Sequence, residues 1–200
     1  IQALARSAQP TWKPIGDVPS RLTGGTCVPY GLKLWGDLFT PRQLVALTTL
    51  SDLVAEAGEK IHCDALAAGM LDDGKGIESG GSGATAYAEG IALLLGLAVS
   101  RSTNSINSLV VWSQSREQSV NLFSRQAIPM AWDFPEVSPF SGAAGDFGVT
   151  TTSMARALEN VSASRVGAFV DQAHAQTQTI STRKIISTHP PYYVNVAYAR

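Results

Sequence analysis

Sulfur is scarce in this chain. Its two cysteines, Cys27 and Cys63, stand far apart and belong to no CxxC or CxxH pair. A disulfide scaffold is therefore not indicated, and buried or incidental thiols are expected. An excess of charge is missing too: 15 Lys and Arg against 16 Asp and Glu leave a formal net charge of −1. That balance argues against a strongly basic nucleic-acid-binding surface, although a local patch fits within a neutral total. Long apolar runs are absent as well. The most apolar stretch, residues 91–99, falls far short of the ~20 residues that cross a bilayer, so no membrane association is expected. The opening IQALARSAQP has no signal-peptide layout, which leads to a cytoplasmic reading. The first residue is Ile1, so the natural start is expected to lie elsewhere.

What is present suits a single domain, or a fragment of one, with enough apolar residues for a core. Residues 1–30 carry Pro10, Pro14, Pro19 and Pro29 with Gly24 and Gly25, which makes an irregular lead segment. A helical region is expected over residues 40–165. In FTPRQLVALTTLSDLVAEAGEK, Thr40 is an N-cap, Pro41 stands at the first helical position and Gln43 completes a capping box. Leu44, Leu47, Leu50, Leu53 and Val54 make one apolar face, and Gly58 is the expected stop. A second helical stretch is expected over residues 62–71. GMLDDGKGIESGGSGATAYAEG then has the composition of a mobile loop. A phosphate cradle is the sharper alternative, but GxxxxGK[ST] is absent and Lys75 precedes the glycine cluster. A helix over residues 84–101 is apolar around most of its circumference, which predicts burial between other elements.

SREQSVNLFSRQ reads as a shorter helix with Ser115 and Gln118 as a capping box. AIPMAWDFPEVSPFSGAAGDFG is an aromatic-rich loop of the kind that packs against something or lines a site. TTSMARALENV reads as a helix, and VGAFVDQ and KIISTH as two strands in a C-terminal segment, residues 166–200. Helices first and strands last make an α+β class, mainly helical with a few C-terminal strands. A zinc site from His62, Cys63, His174 and His189 has no supporting spacing.

The chain closes on STHPPYYVNVAYAR. A strand-like KIIST running into a turn with Pro190, Pro191 and Tyr192 resembles motif IV, the Asp/Asn/Ser-Pro-Pro-Tyr loop of amino-directed DNA methyltransferases. PPYYVNVAYA is similar to the PPYYDN(I/V)xYA of the adenine-specific DNA methylase-like proteins that carry the DUF1156 domain. Two further stretches are similar to segments upstream of that loop in the same family. They are YGLKLWGDLFTPRQLVALTTLSDLV, residues 30–54, and the stretch from Trp112 through SRE to AIPMAWDFPEVSPFSG, residues 112–142. Together the three cover about half the chain in the expected order, and WGDLFTPRQL is the most specific of them.

The resemblance implies transfer of a methyl group from S-adenosylmethionine to adenine N6 in DNA. It also implies a partial piece of an α/β, Rossmann-like methyltransferase fold. The chemistry explains the composition of the loop. An acceptor side chain and a backbone carbonyl beside the prolines take the two N–H bonds of the adenine amine and aim its lone pair at the methyl group. The prolines fix the backbone, and the tyrosine stacks on a flipped-out base. By resemblance, His189, Pro190, Pro191 and Tyr192 hold the catalytic positions, and Tyr193 and Asn195 shape the substrate pocket. VDQAHAQ places His174 where the family has an acid that can contact cofactor or substrate.

Both acids are replaced. His189 stands where the family has Asp, and a neutral imidazole accepts a single hydrogen bond. The glycine-rich D-P-F-x-G-x-G turn is not found; SPFSGAAG, residues 138–145, is its nearest approximation and has Ser138 where Asp would stand. The expectation is a fragment or truncated, degenerate relative of an adenine-specific DNA methyltransferase, inactive alone. The alternative is a non-catalytic helical module that binds DNA through Arg42, Arg116, Arg125 and Arg156. In another form of that alternative, an exposed apolar patch meets a protein partner or a second copy.

Overall fold

A computed structural model describes residues 7–19, 27–123, 128–161, 172–174 and 176–188. Its chain forms two compact units, Ile1–Leu158 and Glu159–Arg200. The fold is α+β, and its described elements are three α-helices, short 3-10 turns and one two-stranded antiparallel sheet.

Helix α1, Pro41–Ala67, starts where its sequence dictates. The Gln43 N–H donates to Thr40 Oγ1 at 3.3 Å and the Thr40 N–H donates to Gln43 Oε1 at 2.8 Å, a reciprocal capping box. Leu44, Leu47 and Leu50 are buried along one face. The expected stop at Gly58 is overturned, because α1 runs straight through it and absorbs the second helical stretch as far as Ala67. Gly58 serves packing instead: a Cβ there would lie 3.4 Å from Ala92 Cβ on the next helix. The true stop is Gly69, at φ +85°. The Met70 N–H donates to Ala65 O at 3.0 Å and the Gly69 N–H to Leu66 O at 2.9 Å, the paired bonds of a Schellman ending.

Helix α2, Ala84–Ser102, returns antiparallel to α1, since Gly58 faces Ala92 while His62 meets Thr85. Its expected all-round burial does not hold: Leu93 and Leu97 are 60% and 51% exposed. Ala84, Ala88, Ala98 and Val99 are buried, while Tyr87, Leu93 and Leu97 stay in contact with solvent.

The expected helix over residues 115–126 is instead a β-hairpin as far as it is described. Strands β1, Val111–Ser113, and β2, Gln118–Val120, pair with Val111 opposite Val120 and Ser113 opposite Gln118. Glu117 turns the chain at φ +50°. A Ser115–Gln118 spacing fits a tight turn as well as a capping box, and no apolar face followed it to decide for a helix. Helix α3, Phe147–Glu159, starts earlier than expected because Asp146 caps it: Asp146 Oδ1 accepts the Val149 N–H at 2.9 Å.

The core gathers residues distant in sequence. Val18, Cys27, Leu38, Leu109, Leu122 and Ile128 are buried together, with Trp35, Phe39, Met130 and Ala131 packed against them. Tyr30 meets Trp132 edge to face at 4.8 Å between ring centres, and Arg42 pairs with Glu136. The aromatic loop thus packs through Met130 and Ala131, whereas Trp132 and Phe140 stay largely exposed.

The described part of the second unit consists of turns and irregular backbone. KIIST forms no strand over its described residues, with Ile185 and Ile186 both exposed. Beta-branched composition alone does not make a strand without a pairing partner. VGAFVDQ lies outside the described residues except for Gln172.

Candidate functional site

His189, Pro190, Pro191, Tyr192, Tyr193 and Asn195 lie outside the described residues. His174 is described and exposed; its carbonyl accepts the Thr177 and Gln178 N–H groups, each at 3.0 Å, in a turn. Of the four arginines considered for a basic stripe, Arg42 is engaged with Glu136, Arg125 lies outside the described residues and Arg116 is exposed. Arg156 is also engaged in an interaction. Both cysteines are free thiols, Cys27 buried and Cys63 exposed. Among the described residues no group of His, Cys, Asp and Glu is arranged to hold a metal ion, and no helix is long and apolar enough to cross a membrane.

The glycine-rich loop between α1 and α2 is tied down rather than loose. Asp72 is its hub. Asp72 Oδ1 accepts the N–H groups of Thr85 at 3.0 Å and Gly74 at 3.2 Å, and Oδ2 accepts the Thr85 hydroxyl at 2.8 Å and lies 3.1 Å from His62 Nε2. The Thr85 amide first, then the His62 and Thr85 side chains, hold the Asp72 carboxyl well below the usual carboxylate range. Asp73 accepts from Lys75 and Ser82, and Glu89 Oε2 accepts the Ile77 N–H at 2.8 Å. The backbone donors that a phosphate would need are therefore taken by carboxylates. This argues against the phosphate-cradle alternative.

SPFSGAAG is likewise organised from within. The Gly142 N–H donates to Asp146 Oδ2 at 2.8 Å, and the Phe147 N–H donates to Pro139 O at 3.0 Å. These backbone bonds, the Gly142 N–H foremost, hold Asp146 below the usual carboxylate range. Gly145, at φ +93°, presses so closely on Val137 and Ser105 that a Cβ would come within 2.6 Å and 3.0 Å of them. With its Gly142 amide committed to Asp146 and Ser138 standing where the family has an acid, the turn does not fit the role of an S-adenosylmethionine loop.

Beside that turn lies a polar cavity of about 320 Å³. The end of α2 contributes Arg101 and Ser102, the following turn Asn104 and Ser105, β2 Gln118 and Ser119, and α3 Thr150 and Ser153. Arg101 is its one charged lining residue, and no carboxylate lines it. Three hydroxyls at its wall belong to buried residues. Ser102 donates to Ala98 O at 3.0 Å and Thr150 to Asp146 O at 2.9 Å. Ser119, only 7% exposed, has no partner for its Oγ among the described residues. A second cavity of about 330 Å³ is lined by Arg42, Gln43, Ile106, Glu136 and Pro139; the buried Gln43 Nε2 has no hydrogen-bond partner among the described residues.

The polar cavity was not legible in the sequence. Its residues come from four separate stretches, mostly of polar side chains that read as ordinary surface, and Gln118 and Ser119 fall where a helix was expected. No protein-family model, curated protein or solved structure matches the chain.

Proposed function

We propose that this chain is a piece, or a degenerate relative, of an adenine-N6-specific DNA methyltransferase of the DUF1156-carrying type. In this reading it supplies a helical region and a motif IV-like loop of a Rossmann-like catalytic fold, and does not transfer a methyl group alone. One observation carries the reading. The two stretches that resemble the family upstream of the loop, residues 30–54 and 112–142, build one core together: Leu38 with Leu122 and Ile128, Tyr30 on Trp132, and Arg42 with Glu136. Segments inherited as a unit are expected to be mutually complementary in this way.

In this reading the substrate side of the reaction lies with the C-terminal loop. Tyr192 stacks on the extruded adenine, and Pro190 and Pro191 fix a carbonyl toward its amine. His189 accepts at most one of the amine hydrogens, which leaves the nitrogen poorly oriented. S-adenosylmethionine would supply the methyl group; residues 138–145 do not fit as its binding turn, so no step is assigned to them.

Isothermal titration calorimetry of the chain with S-adenosylmethionine tests the proposal. No saturable heat is expected at millimolar cofactor. A micromolar site would mean that a complete cofactor pocket exists here and that the reading of an incomplete enzyme is wrong.

The alternative, a non-catalytic module for a protein partner or self-association, is favoured by the exposure of Leu53 on α1 and of Leu93 and Leu97 on α2.

A further inference from the structure

We infer that the groove between α1 and α2 docks a basic amphipathic helix of a partner protein. The inference goes beyond the methyltransferase reading and does not depend on it.

Side-chain size gives the groove its shape. A cavity of about 350 Å³ lies along the helix pair, lined by Ala55 and Gly58 of α1 and by Ala88 and Ala92 of α2, with Glu59 and Glu89 contributing one acid from each helix. Gly58 lets the helices approach, since a Cβ there would already stand 3.4 Å from Ala92 Cβ. A furrow lined by alanine and glycine has no bulky side chain of its own to fill it. Larger apolar side chains from another helix fit it, as a ridge fits a groove. The furrow continues at both ends. Leu66, four residues beyond the lining His62, is 44% exposed, and Gly96, four residues beyond Ala92, has nothing within 4 Å of its Cβ position. From Ala55 to Leu66 the face runs about 16 Å, the length of three turns of a bound helix.

Charge decides what flanks the apolar ridge. Residues 52–89 hold eight of the 16 Asp and Glu but only two of the 15 Lys and Arg, so the helix pair is acidic within a nearly neutral chain. Its own cations do not cancel that field. On α1, Arg42 is engaged with Glu136 and Lys60 with Asp64, which leaves the exposed Glu56 and Glu59 with no lysine or arginine of that helix to neutralise them. Glu89 takes a neutral donor, the Ile77 N–H, and keeps its charge. Such a face attracts Lys and Arg, and it repels nucleic acid and the same face of a second copy. An apolar stripe bordered by cations is a basic amphipathic helix, laid into the groove by its apolar side.

Fluorescence anisotropy tests this with a labelled helical peptide of about 18 residues, built of leucine at i, i+3 and i+4 spacing and lysine elsewhere. The same pattern with glutamate for lysine is the control. The lysine peptide is expected to bind the full chain at one saturable site, more weakly as salt rises, and the glutamate peptide not to bind. Ala55→Leu fills the furrow without changing the charge and should weaken binding about fivefold; Ala55 is exposed, and leucine supports a helix nearly as well. Glu56→Gln with Glu59→Gln should weaken it about tenfold, as expected for losing two rim charges. Both variants should melt within a few degrees of the parent, because none of the three positions is buried. Equal binding of the two peptides, or lysine-peptide binding indifferent to Ala55→Leu, would overturn the inference. So would a dimer in sedimentation that Ala55→Leu dissolves, which would assign the groove to a second copy.

Discussion

Leu38→Ala is expected to cost about 3 kcal/mol of unfolding free energy, in the middle of the range for truncating a well-packed core leucine. Leu38 is 1% exposed and touches a core drawn from residues 18 to 128. Its carbonyl also accepts the Ser108 N–H at 2.8 Å and the Ser108 hydroxyl at 2.9 Å, so the site has little freedom to collapse around a cavity. Urea denaturation of the two forms measures the difference. Leu93→Ala is the control, because an exposed leucine is worth within about 0.5 kcal/mol. Equal costs at the two positions would mean that the core is not where Leu38 lies, and the mutual packing of residues 30–54 and 112–142 would lose its foundation.

Gly145→Ala should be as damaging, about 3 kcal/mol, for a different reason. Its φ of +93° alone costs an L-residue roughly 1–2 kcal/mol. The added methyl would also meet Val137 Cγ1 at 2.6 Å and Ser105 Cβ at 3.0 Å, and overpacking of that kind costs about 1–3 kcal/mol. Gly142, three residues away, separates the two contributions. It too has a positive φ, +70°, but nothing lies within 4 Å of its Cβ position. Gly142→Ala should therefore show the backbone cost alone, near 1 kcal/mol. Thermal melts of both variants give the comparison. Similar losses would mean that Gly145 does not press on Val137 and Ser105.

The parts of the fold that were legible are those written in local chemistry. Thr40, Pro41 and Gln43 marked the start of α1, and the apolar run from residue 91 marked α2. Glycine was legible only by its surroundings. Gly58 and Gly69 look alike in sequence, yet one lets two helices touch and the other ends a helix in the left-handed region. That distinction depends on α2, which the local pattern around Gly58 does not contain. The second half of the hairpin, from Ser115, was read as the start of a helix because its strands are three residues each, too short for alternation to outweigh a cap-like Ser115–Gln118 spacing. The Gly-rich loop read as mobile on its glycine composition, which does not show the bonds that Asp72, Asp73 and Glu89 accept within it. KIIST misled in the opposite direction, since its strand-like composition stays irregular over its described residues.

The site was less legible than the fold. The resemblance drew attention to the C-terminal loop and to SPFSGAAG, whereas the cavity in unit Ile1–Leu158 is assembled from scattered Ser, Asn and Gln side chains around Arg101. SPFSGAAG does border that cavity through Ala144 and Gly145, but as a wall rather than as a donor turn.

The most direct test of the methyltransferase reading is the binding of an adenine-containing DNA duplex, followed by fluorescence anisotropy at low salt, for the chain and for Tyr192→Ala. The account predicts measurable affinity that falls as salt rises. It also predicts roughly tenfold weaker binding for Tyr192→Ala, the loss of one base-stacking contact. A chain without DNA affinity, or one that binds equally well without the Tyr192 ring, would contradict the reading and leave a module whose exposed leucines await a protein partner.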